Sequence, residues 1–241
     1  VLDALPPALL LDLDDTILAF SANTDLCWRT VCARLVTPDA GFAPEALLEA
    51  ILVVRKWFWA DRERHRVGRL ALNDTRRQIV ALALERLGAP NPALAAEIGD
   101  AYARERAATL RPFPGAIETL HRLRARGVRL ALLTNGNTAE QRDKIERFRL
   151  APLFECIVVE GEFGVGKPDE RVYRHALACL GIPPAEAWMV GDNLEWDVQG
   201  AQQVGIYAIW MDHAGRGLPP DSPIRPDRII HTLAELVPAI P

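Results

Sequence analysis

The stretch Leu10-Leu11-Asp12-Leu13-Asp14-Asp15-Thr16 decides the fold of this chain. An apolar run from Ala8 to Leu11 ends abruptly in a cluster of three carboxylates. A short continuous apolar run reads as a strand buried on both faces, as in a parallel sheet. Ligands of open α/β sheets bind beyond the carboxyl ends of such strands. Carboxylates crowded there repel one another unless a cation or a proton offsets the charge. If extended geometry persists, Asp12 and Asp14 point the same way. The stretch therefore predicts a strand, Ala8–Leu13, that delivers its carboxylates to a metal-assisted reaction centre.

The rest of the chain can support such a sheet. Its 241 residues suffice for one large domain, or a core domain with a smaller insert. It is 49% hydrophobic and 25% charged, ordinary for a globular protein with a substantial core. A net charge of −4 argues against a general nucleic-acid-binding surface. Cys27, Cys32, Cys156 and Cys179 form no CxxC pair and no disulfide scaffold, which suits a reducing compartment and a structural role. No apolar run reaches membrane-spanning length, and no charged segment leads into a long apolar one at the N-terminus. The expectation is a soluble cytoplasmic protein with no membrane or nucleic-acid partner; oligomeric state leaves no mark.

Two regimes divide the chain. From Ser21 to Leu110 the pattern is helical, with helices expected over Asp25–Leu35 and Pro44–Ala60. A third, capped by Asn73 or Asp74, runs through Leu87 and stops at Gly88. A fourth follows Asn91-Pro92 to about Leu110. After Pro112-Phe113-Pro114-Gly115 helices and strands alternate. Strands are expected at Val128–Leu133, Cys156–Val159, Ala187–Val190 and Ile206–Trp210, and a last strand-helix pair within Arg228–Val237. Helices are expected at Ala116–Arg126, after a Thr138/Gln141 capping box, and from Asp169 to Leu180, closed by Gly181. This alternation predicts a doubly wound parallel sheet covered on both faces. The first strand belongs to that sheet, so residues 21–110 read as an α-helical insert, and residues 1–20 with 111–241 as the α/β core.

Four strand ends then place polar groups on one rim: Asp12 and Asp14, Thr134-Asn135, the segment leading to Lys167, and Asp192. Asp12-Leu13-Asp14-Asp15-Thr16, Leu133-Thr134-Asn135-Gly136, Gly166-Lys167-Pro168-Asp169 and Gly191-Asp192-Asn193-Leu194-Glu195-Trp196-Asp197 resemble the four ordered motifs of the haloacid dehalogenase superfamily. The helical insert sits where that superfamily carries its α-helical cap. Ile17 replaces the commoner leucine and Glu170 stands where proline often follows Lys-Pro-Asp; neither touches a reacting atom.

The chemistry follows partly from residue types. An anionic phosphate ester resists attack by an anion until its oxygens are neutralised. Mg²⁺ prefers hard oxygen ligands, and Asp12 and Asp192 are the natural side-chain ligands. The resemblance implies the Asp14 backbone carbonyl as a third. It also implies that Asp12 attacks phosphorus to form an aspartyl-phosphate, while Asp14 protonates the leaving alcohol and then deprotonates water. Thr134 Oγ1 and the Asn135 N–H can hydrogen-bond the phosphoryl oxygens, and Lys167 can supply a positive charge to them. Gly164 and Gly166 would let the Lys167 loop approach tightly. Asp197 is expected to fix Lys167 or the metal's water, with Asn193 and Asp15 behind the ligands.

The expected function is a Mg²⁺-dependent phosphatase for a small phosphorylated metabolite, because a cap should exclude macromolecules. A haloacid dehalogenase on this fold attacks carbon, and its halide needs no proton, so an acid at Asp14 would have little purpose there. A sugar phosphomutase would share all four motifs and differ mainly in its cap, and an inactive binding module would share the scaffold. In the insert, Arg55, Lys56, Arg62, Arg64, His65, Arg66 and Arg69 crowd around Trp57 and Trp59. The favoured reading is an amphipathic helix with aromatics inward and arginines in water; the other is an anion-attracting face that stacks substrate. No metal-like spacing joins His121, His175, His213 and His231.

Overall fold

The computed structural model describes residues 5–237. Its centre is one sheet of six parallel strands: β1 (Ala8–Leu11), β2 (Arg129–Thr134), β3 (Cys156–Val159), β4 (Ala187–Gly191), β5 (Tyr207–Met211) and β6 (Arg228–Ile230). Their order is β3-β2-β1-β4-β5-β6, with every neighbouring pair parallel. The winding reverses beside β1, between β2 and β4, and an open α/β sheet binds ligands at such a switch point. The expected doubly wound sheet is therefore present. β1 is fully buried along its length, as an all-apolar run with no solvent face must be.

The chain falls into two compact units, one formed up to Ala19 and from Arg111 onward, the other Phe20–Leu110. The second unit contains α1 (Thr24–Leu35), α2 (Pro44–Ala60), α3 (Arg62–Gly68), α4 (Leu72–Arg86) and α5 (Pro92–Thr109), and no strand among its described residues. Leu47, Leu48, Ile51, Val54 and Phe58 recur at helical spacing on α2 and face a core shared with Val31, Ile79 and Ile98. Trp28 and Tyr102 stack in that core, with centroids 3.5 Å apart. Each fully buried apolar side chain of this size is worth about 1.5–3 kcal/mol.

Two sequence expectations fail here. α4 begins at Leu72, and Thr75 donates its N–H to the Ala71 carbonyl. Asn73 and Asp74 thus lie inside its first turn, where acidic and polar groups meet the helix dipole without capping it. The basic stretch is also not one helix. The chain is extended at Asp61, whose carboxylate accepts the Arg64 N–H at 2.8 Å and starts α3 as a new helix.

In the first unit the helices are α6 (Ala116–Ala125), α7 (Thr138–Arg147), α8 (Glu160–Phe163), α9 (Glu170–Leu180) and α10 (Gly200–Gln203), the last preceded by a π-helical turn, Leu194–Gln199. α9 buries Val172, Tyr173, Ala176, Leu177 and Leu180 in a core with Leu10, Leu133 and Met189. Leu218, in the segment after His213 that the sequence leaves unassigned, packs on the same core. No helix among the described residues is long and apolar enough to cross a membrane.

Candidate active site

The sheet gathers the expected residues at the carboxyl ends of its central strands. Asp12 follows β1 directly, and its N–H still donates to the Val190 carbonyl of β4 at 3.0 Å. That extra rung fixes Asp12 beside the end of β4, where Asp192 follows Gly191. Thr134 is the last residue of β2. Lys167 arrives on the loop between α8 and α9, ahead of a cis peptide bond to Pro168.

Lys167 is almost wholly buried, and its Nζ donates to Asp12 Oδ1 and Asp197 Oδ1, both at 2.6 Å. Asp197 Oδ2 accepts the Asn193 N–H at 2.9 Å, so both of its carboxylate oxygens are engaged, one of them by Lys167. Gly191 is required for this: a Cβ there would lie 2.2 Å from Asp197 Cγ. Asn193 Oδ1 accepts the N–H groups of Glu195 and Trp196, which starts the π-helical turn that carries Asp197.

Three carboxylates, on Asp12, Asp192 and Asp197, each bring an oxygen within 4.8 Å of the others. Lys167 offsets only part of that charge. Burial, resisted by Lys167 and reinforced by Asp197 and Asp14, pushes the Asp12 carboxyl up to about 7. Burial, together with Asp12, Asp197 and Asp15, pushes Asp192 up to about 9. Burial alone would lower Lys167, but Asp12 and Asp197 beside it hold its ammonium above the ordinary lysine range. A set of hard oxygen donors with surplus negative charge fits a small divalent cation.

A second cluster lies around Asp14. Lys144 Nζ donates to both of its oxygens, at 2.8 and 2.7 Å. Gln141 Nε2 lies 3.1 Å from Asp14 Oδ2, 2.7 Å from Thr134 Oγ1 and 2.6 Å from the Asn135 carbonyl. The expected Thr138/Gln141 capping box is therefore absent. Asn137 caps α7, its Oδ1 accepting the Glu140 N–H at 2.9 Å, and Gln141 is drawn to the carboxylate and hydroxyl instead. Lys144 escaped the sequence reading altogether; the available signal was that 141 and 144 share a helix face.

Asn135 forms a reciprocal clamp, donating Nδ2 to the Lys167 carbonyl and accepting the Lys167 N–H on Oδ1, each at 2.8 Å. Glu160, also missed, is buried and accepts the Gly136 N–H at 2.8 Å. Gly166 answers both: a Cβ there would meet Asn135 Oδ1 and Glu160 Cδ at 2.6 Å. Gly164 differs from expectation, having open space around it and a φ of 89° that favours glycine. Asp15 adopts a φ of 57° in the turn that closes on Leu18, with its N–H on the Leu18 carbonyl at 2.7 Å.

Within the helical unit, the inward-aromatic expectation holds for Trp59, which is half-buried and packs on the helical core, and fails for Trp57, which is 53% exposed. The Arg64 guanidinium lies over the Trp57 ring, 3.9 Å from its centroid, and donates to the Trp57 carbonyl at 2.9 Å. An arginine covering an aromatic face in this way is a cation–π pair.

A family model for haloacid dehalogenase-like hydrolases matches residues 6–205. Over 162 residues the sequence is 42% identical to the phosphoserine phosphatase of Thermus thermophilus, covering 67% of this chain and 63% of that one. It is 30% identical over 205 residues to the glyceraldehyde 3-phosphate phosphatase of Methanopyrus kandleri, covering 84% and 82% of the two chains. Among solved structures, a HAD-hydrolase of Bacillus subtilis superposes with a TM-score of 0.71 at 23% identity, over 97% of each chain, a likeness of fold. A 2-haloacid dehalogenase of Pseudomonas syringae superposes with a TM-score of 0.63 at 26% identity, over 96% of each chain.

Proposed function

This chain belongs to the haloacid dehalogenase-like hydrolase family, and from that premise we propose that it is a Mg²⁺-dependent phosphatase acting on a small phosphomonoester. The observation that carries this reading is the pair of aspartates on one rim: Asp12 held by buried Lys167, and Asp14 held separately by Lys144. Two carboxylates in distinct surroundings suit a nucleophile and a proton carrier. The phosphatase names of the relatives agree with it.

The side chains of Asp12 and Asp192, with the Asp14 carbonyl, would hold Mg²⁺. When bound, the ion offsets the charge of these carboxylates and of the phosphoryl oxygens. Asp12 attacks phosphorus, the ester P–O bond breaks, and Asp14 gives a proton to the departing oxygen. Asp14 then takes a proton from water, which attacks the aspartyl-phosphate and releases inorganic phosphate and free Asp12. Thr134 Oγ1 accepts from Gln141, which leaves its own hydroxyl proton for a phosphoryl oxygen. Lys167, bound to Asp12, places its positive charge where the anionic group arrives. Asn193 and Asp197 position these groups, and the charge of Asp15 opposes ionisation of Asp192.

The test is phosphate release from a panel containing phosphoserine, glyceraldehyde 3-phosphate, sugar phosphates, phosphoglycolate and nucleoside monophosphates, with Mg²⁺ or EDTA. Turnover that needs Mg²⁺ and is lost in Asp12→Asn supports the reading. Metal-independent halide release from a 2-haloacid would replace it with dehalogenation, and isomerised sugar phosphate without free phosphate would replace it with a mutase. Binding of a phosphate mimic with no turnover would leave a binding module.

A further inference from the structure

A third cluster lies apart from the carboxylate rim. Cys156 is the first residue of β3, the edge strand, and is buried. His175 and Cys179 stand four residues apart on α9 and so share one helix face. One donor atom from each of the three residues lies within 4.8 Å of the others. His175 Nε2 and Cys179 Sγ are 3.5 Å apart. In a tetrahedral zinc site, bond lengths of about 2.3 Å to sulfur and 2.0–2.1 Å to nitrogen put such atoms about 3.6 Å apart. The two atoms share a hydrogen bond at a spacing that two ligands of one ion would also have. The His175 ring also rests against Phe163, centroids 4.9 Å apart, which limits its rotation.

We propose that Cys156, His175 and Cys179 form a binding site for a thiophilic divalent cation such as Zn²⁺, with water completing four ligands. Two sulfurs and an imidazole select such an ion over Mg²⁺, which prefers oxygen. The site is separate from the carboxylates: Cys156 begins β3, whereas the rim lies at its far end, about 10 Å along the strand. A bound ion would tie α9 to the edge of the sheet, each thiol releasing its proton as it ligates.

Co²⁺ is the probe, added to the reduced 241-residue chain, because cobalt held by carboxylates shows no thiolate charge-transfer band. One equivalent should produce that band together with the intense visible absorption of tetrahedral cobalt, and Zn²⁺ should bleach both. Asp12→Asn should keep the band. His175→Ala and Cys179→Ser remove exposed side chains, so the fold, checked by circular dichroism, should survive. Each should weaken Co²⁺ binding roughly tenfold or more. Absence of a thiolate band in the reduced wild type overturns the proposal. So does a band that persists unchanged in both variants, since neither His175 nor Cys179 would then be a ligand.

Discussion

Asp12 and Asp14 stand two residues apart and each accepts a hydrogen bond from a lysine at 2.6–2.8 Å, yet their surroundings differ. Lys167 is shared between Asp12 and Asp197, and the Asp12 side chain is 10% exposed, whereas the Asp14 side chain beside Lys144 is 23% exposed. In the first cluster one ammonium faces several buried carboxylates, so negative charge is left over and a cation is favoured. In the second, one lysine meets one carboxylate that solvent can reach, so no surplus charge is left to offset. The lesson is that the same residue pair can leave charge unbalanced or balanced, depending on how many buried carboxylates share the lysine.

The sharpest way to break that comparison is kinetic. Asp12→Asn should lower the rate of phosphate release by about 10⁴-fold or more, as loss of a nucleophile does. Asp14→Asn should cost roughly 10²–10⁴-fold, the usual worth of acid–base help. A larger loss in Asp14→Asn than in Asp12→Asn, with both variants folded, would contradict the assignment of Asp12 as the nucleophile.

Stability separates the lysines next. Lys167→Met strands buried carboxylates and should destabilise the fold by about 3–5 kcal/mol. Lys144→Met leaves Asp14 within reach of water and should cost about 1 kcal/mol. Urea denaturation of the metal-free proteins measures both, and similar midpoints would contradict the difference in burial.

Surplus charge on the first cluster can be read through pH. The Asp192 carboxyl is raised to about 9 in the folded chain, above its ordinary value of 3.8. The folded state therefore holds this proton more tightly than the unfolded state. The cost of ionising it is absent below about pH 4 and grows as pH rises toward 9. In EDTA, Asp192→Asn should melt several degrees above wild type at pH 7, on the order of 2 kcal/mol, with a wider gap at pH 9 and a narrower one at pH 5. Adding Mg²⁺ should stabilise wild type far more than the variant. A gap that is constant across pH would argue that Asp192 carries no such penalty.

The smallest expected effect tests how the second cluster is carried. Asn137→Ala removes the cap of α7, which bears Gln141 and Lys144, and should cost about 1 kcal/mol. Thr138→Ala should be nearly neutral. The reverse order in thermal melts would restore the capping box that the sequence suggested.

Much of the fold was legible because it rests on local patterns. Ala8–Leu11 is a strand because four apolar residues in a row leave no polar face, and α2 follows from the recurrence of Leu47, Ile51, Val54 and Phe58. Asp12, Thr134 and Asp192 were readable for the same reason, since each stands at or just past the end of an apolar run. Gln141 was misread because its position fits a capping box equally well, and only the approach of Asp14 and Thr134 decides against that. Lys144 and Glu160 were missed because, on a helix or beside one, a charged residue is usually solvated. Their burial depends on a partner far away in sequence, Asp14 in the case of Lys144.

By itself, then, the sequence determined the alternation of strands and helices, the helical block between them, and the carboxylates at strand ends, because periodicity and chain-breaking residues act over a few positions. Tertiary structure alone decided which lysine each aspartate received, why Gly191 must lack a side chain, and that Cys156 meets His175 and Cys179. Those outcomes depend on the order of strands in the sheet and the burial it creates, and contacts between distant segments have no spacing in the chain from which to read them.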